Sequence, residues 1–380
     1  MTTDGSSAVD GAASSRFAGV RTRLREALEA EDGLGASLSV MIDGDLVVDL
    51  HGGVRDRAGN EPWTGGALPC VYSSGKAVMA VLVARLVSDG ALDYEAPVAG
   101  VWPNFAAAGK GDVTLAMALS HQAGLCGFKD EMPPASWLDH GEIVGRLARL
   151  APLWSPGEAS GYHPQTIGFI VGELIARAAG DSLGGVLYQD HYKAYGADVH
   201  CGVRPDVRLR VAEMRKPPRA PDLGELTELK EIAFLKPWSS PARVDREDWL
   251  AAEIPASNMH ASARGLAAVV HPLANEGAGP GGPAIDPAVV RDALRIRIEG
   301  DDLVLPFRIA WAAGLMRNDH GWYGPARDAF GHAGFGGSCV LVDPARRLSA
   351  AFVMNKMSPH LVGDPRPKRL LDAVYEALDG

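Results

Sequence analysis

Two pairs of strand signals, one near each end of the chain, place the strongest limit on how the chain can fold. The first pair covers residues 37–42 and 46–50 and is joined by Asp43-Gly44, a dipeptide typical of tight hairpin turns. The second pair covers residues 338–342 and 348–354. Helical and loop patterns dominate the sequence between them. We therefore predict one sheet built from both ends of the chain, with a helical middle part packed over it and a site in the seam.

Helical periodicity marks further segments of the chain. Residues 16–30 repeat apolar side chains at helical spacing, and residues 369–378 are predicted to form a closing helix. Residues 166–179 are apolar along one face and are followed by Gly180, which predicts the end of that helix. Together with the strand signals, these segments indicate a mixed fold of helices and strands.

The composition, with 47% hydrophobic and 22% charged residues among 380, is ordinary for a globular protein. Residues 1–14 are small and polar, so we predict that they are disordered. Residues 15–380 are predicted to form a single domain. We expect an α/β lobe from about residues 15–75 and 300–380, and a helical lobe from about residues 76–299.

The charge and the cysteines limit the partners and the compartment. A net charge of −10 argues against nucleic acid and anionic membrane surfaces as partners. We see neither a signal peptide nor an apolar run long enough to span a membrane. The four cysteines are Cys70, Cys126, Cys201 and Cys339. Because they form no C-x-x-C pair, we expect reduced thiols in a cytoplasmic protein, with no metal site and no cofactor.

Ser73 and Lys76 form a Ser-x-x-Lys motif at the start of an apolar helix that we predict to be buried and to end at Asp89-Gly90. Three residues are nearly one helical turn, so both side chains project from the same face. A lysine on a buried first turn is unusual unless it is paired or takes part in chemistry. A desolvated lysine can help to remove the proton of a serine hydroxyl, and Ser-x-x-Lys is the nucleophile motif of serine β-lactamases and penicillin-binding proteins.

Further motifs follow in order along the chain. They are Leu86-Val-Ser-Asp-Gly-Ala-Leu-Asp93, Trp102-Pro-Asn-Phe105, Ser120-His-Gln-Ala-Gly-Leu125, Trp154-Ser-Pro-Gly157, Gly161-Tyr162-His163 and His332-Ala-Gly334. With this order and spacing, the chain resembles the β-lactamase-related serine hydrolases, specifically the class C-like esterases of family VIII, over roughly residues 20–378. The resemblance implies a β-lactamase/penicillin-binding-protein-like fold of the α/β (α+β) class. Such a fold has an antiparallel sheet flanked by helices and a mostly helical second lobe.

The resemblance also implies a catalytic site with three elements. The first is Ser73 with Lys76, in which Ser73 would attack a carbonyl and form an acyl-enzyme. The second is a tyrosine on a loop of the helical lobe, a position that Tyr162 matches. The third is a Lys/His-x-Gly segment on the edge strand that lines the site, which His332-Ala-Gly334 matches. Tyr162 and Lys76 together would hold the proton taken from Ser73, and the sequence leaves open which of them accepts it.

The segment around His332 implies the groups that bind substrate. The backbone N–H groups of Ser73 and Phe335 would form the oxyanion hole, and Gly334 would let the strand approach the substrate closely. β-Lactamases of this class usually carry a lysine at the position of His332, where it helps to hold a substrate carboxylate. A histidine is mostly neutral at pH 7, and Tyr162-His163-Pro164 replaces the usual Tyr-x-Asn. We therefore expect an ester without that carboxylate.

We predict a serine hydrolase that cleaves a carboxylic ester, with a small-molecule ester or acyl donor as its partner. One alternative is an acyltransferase of a natural-product pathway that uses the same acyl-enzyme. A β-lactamase or amidase and a catalytically silent binding protein are lesser alternatives. We expect the segment 203–247 and the loops that carry Trp137, Trp238 and Trp322 to shape the substrate pocket.

Overall fold

One antiparallel sheet built from the two ends of the chain is the centre of the structure. The computed structural model describes residues 8–380. The strands are β1 (Val9–Ala13), β2 (Gly35–Ile42), β3 (Asp45–Gly53), β4 (Val199–His200), β5 (His260–Ala261), β6 (Ile298–Asp301), β7 (Arg308–Trp311), β8 (Met316–Arg317), β9 (Phe330–Ala333), β10 (Cys339–Asp343) and β11 (Leu348–Met354). Within the described residues, nine strands form the sheet in the order β1-β3-β2-β11-β10-β9-β8-β7-β6, and β4 pairs with β5 separately. The predicted two-ended antiparallel sheet is confirmed.

Both predicted hairpins are present at the centre of this sheet. β2 and β3 are joined by Asp43-Gly44, where the φ angles of 51° and 92° are the left-handed values of a tight hairpin turn. β10 and β11 pair from Asp343 opposite Leu348 at the turn. β11 also pairs with β2, so the two ends of the chain meet in the middle of the sheet.

Residues 9–13 form a strand where the sequence analysis predicts disorder over residues 1–14. β1 pairs antiparallel with β3 along its whole length, and the Arg21 guanidinium donates to the carbonyl oxygen of Val9 at 2.7 Å. Backbone hydrogen bonds to β3, rather than buried side chains, hold this edge strand in place. Its sequence therefore shows no alternation of apolar and polar residues. The prediction of disorder is wrong for these residues, and residues 1–7 lie outside the described part of the chain.

α-Helices cover both faces of the sheet and also form the middle part of the chain. They are α1 (Ala18–Ala30), α2 (Gly75–Ser88), α3 (Leu115–Leu119), α4 (His140–Arg149), α5 (Thr166–Ala179), α6 (Leu183–Val186), α7 (Glu228–Lys230), α8 (Arg246–Ala251), α9 (Ala263–Ala274), α10 (Pro287–Ala293) and α11 (Pro365–Asp379). α5 ends where the sequence predicts, because Gly180 takes the left-handed φ of 75° that a helix C-terminus favours. No helix within residues 8–380 has the length and apolar character that crossing a bilayer requires.

The core is divided between the two faces of the sheet. Phe352 of β11 packs in a cluster with side chains of α1 and α11, whereas the next residue, Val353, packs in a cluster with α2 and α9. Successive side chains of a strand point to opposite faces, so helices cover both. The same packing buries α2 from Gly75 to Ala84 and places its N-terminus between the sheet and the helical part of the chain.

Lys110 is fully buried and forms a structural hydrogen-bond centre. Its Nζ donates to the carbonyl oxygens of Ala107 at 2.6 Å, Ala148 at 3.1 Å and Leu150 at 2.6 Å.

We expect Lys110→Met to lower the free energy of unfolding by about 2–4 kcal/mol, because three buried acceptors lose their donor. Urea unfolding measures this loss. Lys368→Met is the surface control, with a change of less than about 0.5 kcal/mol, and an unchanged urea midpoint for Lys110→Met would contradict the prediction.

Candidate active site

Ser73 lies on a short turn that leads into α2. Tyr72, the first residue of this turn, has a left-handed φ of 46°, a sparsely populated conformation for a bulky residue. Ser73 lines a large cavity, whereas the neighbouring Ser74 is fully buried and its Oγ lies 3.0 Å from the Oγ of Ser338. Of the two adjacent serines, Ser73 is therefore the one that a bound molecule meets.

Lys76 is buried directly beside Ser73. Its Nζ lies 2.9 Å from Ser73 Oγ, 2.9 Å from the carbonyl oxygen of Pro164 and 3.1 Å from that of Ala256. Burial lowers the pKa of Lys76 well below its usual value of 10.5. A neutral amine has two N–H donors and one lone pair. The two carbonyls use both donors, so the lone pair is left facing the Ser73 hydroxyl.

Tyr162 approaches Ser73 from a second direction. Its hydroxyl donates to Ser73 Oγ at 2.7 Å, and its ring stacks on Trp311 with centroids 5.9 Å apart. Burial raises the pKa of Tyr162 above its usual value of 10, so the phenol stays protonated. The backbone N–H of Tyr162 donates to Asp302 Oδ1 at 2.9 Å, and Trp311 Nε1 donates to Asp302 Oδ2 at 3.2 Å. One buried carboxylate therefore holds both stacked residues.

Two buried histidines support Tyr162 from behind. His163 Nδ1 donates to the carbonyl oxygen of Gly161 at 2.6 Å, and His163 Nε2 accepts the Leu125 N–H at 2.9 Å. Its backbone N–H donates to His121 Nδ1 at 3.2 Å. Burial lowers the pKa of His163 to about 3, so this ring is neutral. Both ring nitrogens of His163 are satisfied by the backbone, and the His121 ring packs edge-on against Tyr162 with centroids 4.8 Å apart, so both histidines have structural contacts.

His332 lies in the cavity wall, with its ring centroid 6.0 Å from that of Tyr162. Its Nδ1 donates to the carbonyl oxygen of Ala333 at 2.9 Å, which leaves Nε2 as an acceptor without a partner among residues 8–380. Burial, together with the nearby Lys76, lowers the pKa of His332 to about 3. The ring is therefore neutral and cannot pair with a carboxylate as a lysine would.

Phe335 lines the same cavity two residues beyond Ala333. Within residues 8–380, neither the Ser73 N–H nor the Phe335 N–H donates to an acceptor. Gly334, between the strand and Phe335, has no room for a side chain, because a Cβ there would lie 2.2 Å from the carbonyl oxygen of Val71. The structure thus brings residues from the three predicted elements to one cavity and leaves the N–H groups of Ser73 and Phe335 without an acceptor within residues 8–380.

The cavity has a volume of about 470 Å³ and no formally charged side chain among the described residues that line it. The apolar part of its lining includes Phe234, Leu235, Leu305, Met316, Leu361 and Val362. Two polar lining residues satisfy each other, because Ser257 Oγ donates to Gln165 Oε1 at 2.7 Å. A ligand that fills this space must therefore be largely apolar and uncharged where it is enclosed.

The segment 203–247 shapes this cavity as predicted, through Ala220, Pro221 and Leu223 and through residues 233–235 and 239–241. The loop that carries Trp238 lines the cavity as predicted, through Ser239, Ser240 and Pro241. The prediction is wrong for the loops that carry Trp137 and Trp322, because neither contributes a residue to the cavity wall, and Trp137 packs against Phe169 in the core. Trp249 is a further tryptophan that lines the cavity.

The sequence analysis also missed Asp302 and the carbonyl oxygens of Pro164 and Ala256. Asp302 holds Tyr162 from 140 residues away along the chain, and a backbone carbonyl carries no side-chain signal. No local motif marks either kind of group.

Cys70 lies three residues before Ser73 but takes no part in the site. It is fully buried, and this burial raises the pKa of its thiol to about 12. The thiolate that a nucleophilic cysteine requires is therefore strongly disfavoured.

The chain is similar over almost its whole length to proteins of one family. The family model described as Beta-lactamase matches residues 20–375. The chain is 33% identical over 368 residues to "Esterase/beta-lactamase LipL" of Mycobacterium tuberculosis (strain ATCC 25618 / H37Rv), with 93% of this chain and 84% of that protein covered. A solved penicillin-binding protein homologue from Caulobacter crescentus is 44% identical, with a TM-score of 0.94 and coverage of 97% and 100%. A solved family VIII carboxylesterase is 36% identical, with a TM-score of 0.91 and coverage of 97% and 100%.

The contacts of Lys76 predict how the reactivity of Ser73 depends on pH. The rate at which a neutral fluorophosphonate labels Ser73 should rise with pH as Lys76 loses its proton, and then level off. Because burial lowers the pKa of Lys76, the plateau should begin well below pH 10.5. The rate is measured as the growth of the labelled protein mass with time, at a series of pH values between about 5 and about 10.

Lys76→Met should remove the pH-dependent rise and slow labelling by at least about 100-fold, the usual scale for losing a general base. Lys368→Met, at a half-exposed lysine far from Ser73 in sequence, is the matched control and should keep the original profile. A Lys76→Met protein with the original profile would contradict the prediction.

Proposed function

The chain belongs to the beta-lactamase family, and we propose that within this family it is a serine hydrolase that cleaves neutral carboxylic esters through an acyl-Ser73 intermediate. One observation carries the proposal: Ser73 Oγ lies 2.9 Å from Lys76 Nζ and 2.7 Å from the Tyr162 hydroxyl, at the wall of an uncharged cavity. The names of two relatives, an esterase/beta-lactamase and a carboxylesterase, support an ester as the substrate.

In the acylation step, Ser73 Oγ attacks the ester carbonyl while its proton passes to the lone pair of Lys76. The N–H groups of Ser73 and Phe335 stabilise the negative charge that develops on the carbonyl oxygen. When the tetrahedral intermediate collapses, the bond to the alcohol oxygen breaks. Tyr162 donates its proton to that oxygen and recovers a proton from the Lys76 ammonium, so both groups return to their neutral forms.

In the deacylation step, a water molecule takes the place of the alcohol. Tyr162 passes its proton to Lys76 and takes a proton from the water, whose oxygen attacks the acyl carbon. When the tetrahedral intermediate collapses, the bond to Ser73 Oγ breaks, the Lys76 ammonium returns its proton to Ser73 Oγ, and the acid leaves. An alcohol or amine in the place of water would make the enzyme an acyltransferase. The two relatives named above carry hydrolase names, which favours water as the acceptor.

The absence of formal charge in the cavity wall supports a neutral ester. A carboxylate bound there would lose its hydration and meet the unprotonated Nε2 of His332 rather than a cation. The burial of Lys76 and its two carbonyl partners turn its amine toward Ser73, so it is not free to hold a substrate carboxylate. Lactams with a free carboxylate are therefore poorer candidates than esters without one.

Substitutions of the nucleophile, Ser73, and of the proton donor, Tyr162, provide the first test of this proposal. Ser73→Ala should abolish hydrolysis of 4-nitrophenyl butanoate and prevent any acyl group from adding to the protein mass. Tyr162→Phe should lower kcat by about two to four powers of ten, because a group that transfers protons is lost. Tyr195→Phe, at a side chain that is 49% exposed, is the control and should keep the original kcat. Full activity of the Ser73→Ala protein would refute the mechanism.

A pair of acyl donors of similar size tests the proposed substrate class. The 4-nitrophenyl ester of glutaric acid carries a free carboxylate, and its methyl ester does not. We expect kcat/KM to be at least about 100-fold lower for the charged donor, because an unpaired carboxylate is costly to bury. His332→Lys should narrow that ratio by supplying a cation. Equal turnover of the two donors by the unaltered enzyme would contradict a neutral substrate.

A further inference from the structure

The Phe335 N–H lies on a tight turn between β9 and β10. In this turn the Gly334 N–H donates to the Ser338 carbonyl at 2.8 Å, and the Gly337 N–H donates to the Gly334 carbonyl at 3.1 Å. The C=O and N–H of one trans peptide unit point in opposite directions. The peptide that aims the Gly334 carbonyl into the turn therefore aims the Phe335 N–H out of it. Phe335 itself lines the cavity that contains Ser73.

The inner side of this turn rests on the residues that flank Ser73. Ser338 Oγ donates to the carbonyl oxygen of Val71 at 2.8 Å and lies 3.0 Å from Ser74 Oγ. These contacts fix the distance between the turn and the N-terminus of α2. They leave the outer side of the turn to be held by other residues.

A buried ion pair holds that outer side. Arg366 Nη2 donates to the Gly336 carbonyl at 2.7 Å and to Asp364 Oδ2 at 2.6 Å, and Arg366 Nε donates to Asp364 Oδ1 at 3.0 Å. The exposed fractions of Arg366 and Asp364 are 9% and 4%. A Cβ at Gly337 would lie 2.5 Å from Asp364 Oδ2 and 2.6 Å from Arg366 Nη2, so the pair fills the space directly behind the turn.

The same guanidinium connects the turn to the rest of the fold. Arg366 Nη1 donates to the Lys356 carbonyl at 2.8 Å and to Glu31 Oε2 at 3.3 Å. Burying an ion pair is costly, and apolar side chains often replace one without loss of stability. The Gly336 carbonyl also accepts the Ser358 N–H at 2.9 Å, and the Gly336 N–H donates to the His360 carbonyl at 3.4 Å. Apolar side chains cannot supply the additional hydrogen bond that Arg366 donates to the Gly336 carbonyl.

We propose that Arg366, held by Asp364, is a positioning residue for the oxyanion hole: it keeps the turn of residues 334–338 in the geometry that aims the Phe335 N–H at the attacked carbonyl. The inference rests on the proposed function, because the Phe335 N–H matters only where Ser73 attacks a carbonyl. Neither Arg366 nor Asp364 lines the cavity, so both act through the turn rather than on the substrate.

Arg366→Met tests this role. Loss of a well-placed oxyanion donor lowers kcat by about 100- to 1,000-fold, so a displaced donor should lower it by about 10- to 100-fold. KM for 4-nitrophenyl butanoate should stay within about twofold, because the ground-state ester makes little use of the oxyanion hole. Binding of butylboronic acid, which forms a tetrahedral adduct with Ser73, should weaken by a factor similar to the loss in kcat. The pH profile of Ser73 labelling should keep its midpoint, because Lys76 is not altered.

Arg297→Met is the matched control. Arg297 is also buried, with a side chain that is 4% exposed, and it pairs with Glu95 and Asp292 away from the turn. We expect this variant to lose stability but to keep kcat and boronate affinity. Arg366→Lys keeps the charge beside Asp364 and should give an intermediate loss. It provides the same readouts if Arg366→Met does not fold.

The outcomes separate this inference from the proposed function. Original kcat and boronate affinity in a folded Arg366 variant would overturn the positioning role and leave the acyl-Ser73 mechanism standing. An equal loss of kcat in Arg297→Met would also overturn it, because the effect would then reflect general loosening. Full ester hydrolysis by Ser73→Ala would instead refute the proposed function, and the positioning role with it.

Discussion

A buried amine that contacts two carbonyl oxygens and one hydroxyl is the interaction on which the site depends. Lys110 is a buried lysine with a different set of partners. Its Nζ contacts three carbonyl oxygens, and only an ammonium group has the three N–H donors that satisfy all of them. Lys76 meets the carbonyls of Pro164 and Ala256 and the hydroxyl of Ser73. It is fully satisfied as a neutral amine. The acceptors around each lysine therefore separate a structural ammonium from a group that can take a proton.

The same apolar surroundings that bury this amine also set the position of Ser73, the burial of Tyr162 and the lack of charge in the cavity wall. α2 carries Lys76 into the core and leaves Ser73 at the cavity wall, where the helix begins. Tyr162 lies in the same apolar surroundings, which keep its phenol protonated, and the cavity wall has no formal charge among the described residues. The burial that lowers the pKa of Lys76 thus also disfavours a charged ligand in the cavity. The Arg366–Asp364 pair places strong charges near the site but behind the turn, away from the cavity.

Those elements that have a local physical cause could be predicted from the sequence. Asp43-Gly44 favours a tight turn by its own backbone preference, and Gly180 ends α5 for the same reason. β1 could not be predicted, because its small side chains carry no pattern and only pairing with β3 makes it a strand. The loops that carry Trp137 and Trp322 were wrongly assigned to the pocket, because a large apolar side chain packs as readily in the core as in a cavity wall.

The sequence by itself determined which chemical groups are available and the short spacings between them, above all Ser73 with Lys76 on one helical turn. These follow from residue identity and from the geometry of one helix. Only the tertiary structure decided which polar atoms surround Lys76 and Tyr162. The carbonyl of Ala256 reaches Lys76 from 180 residues away along the chain, and Asp302 orients Tyr162 from 140 residues away. The protonation state of a buried group depends on every polar atom packed around it, and those neighbours are brought together by folding.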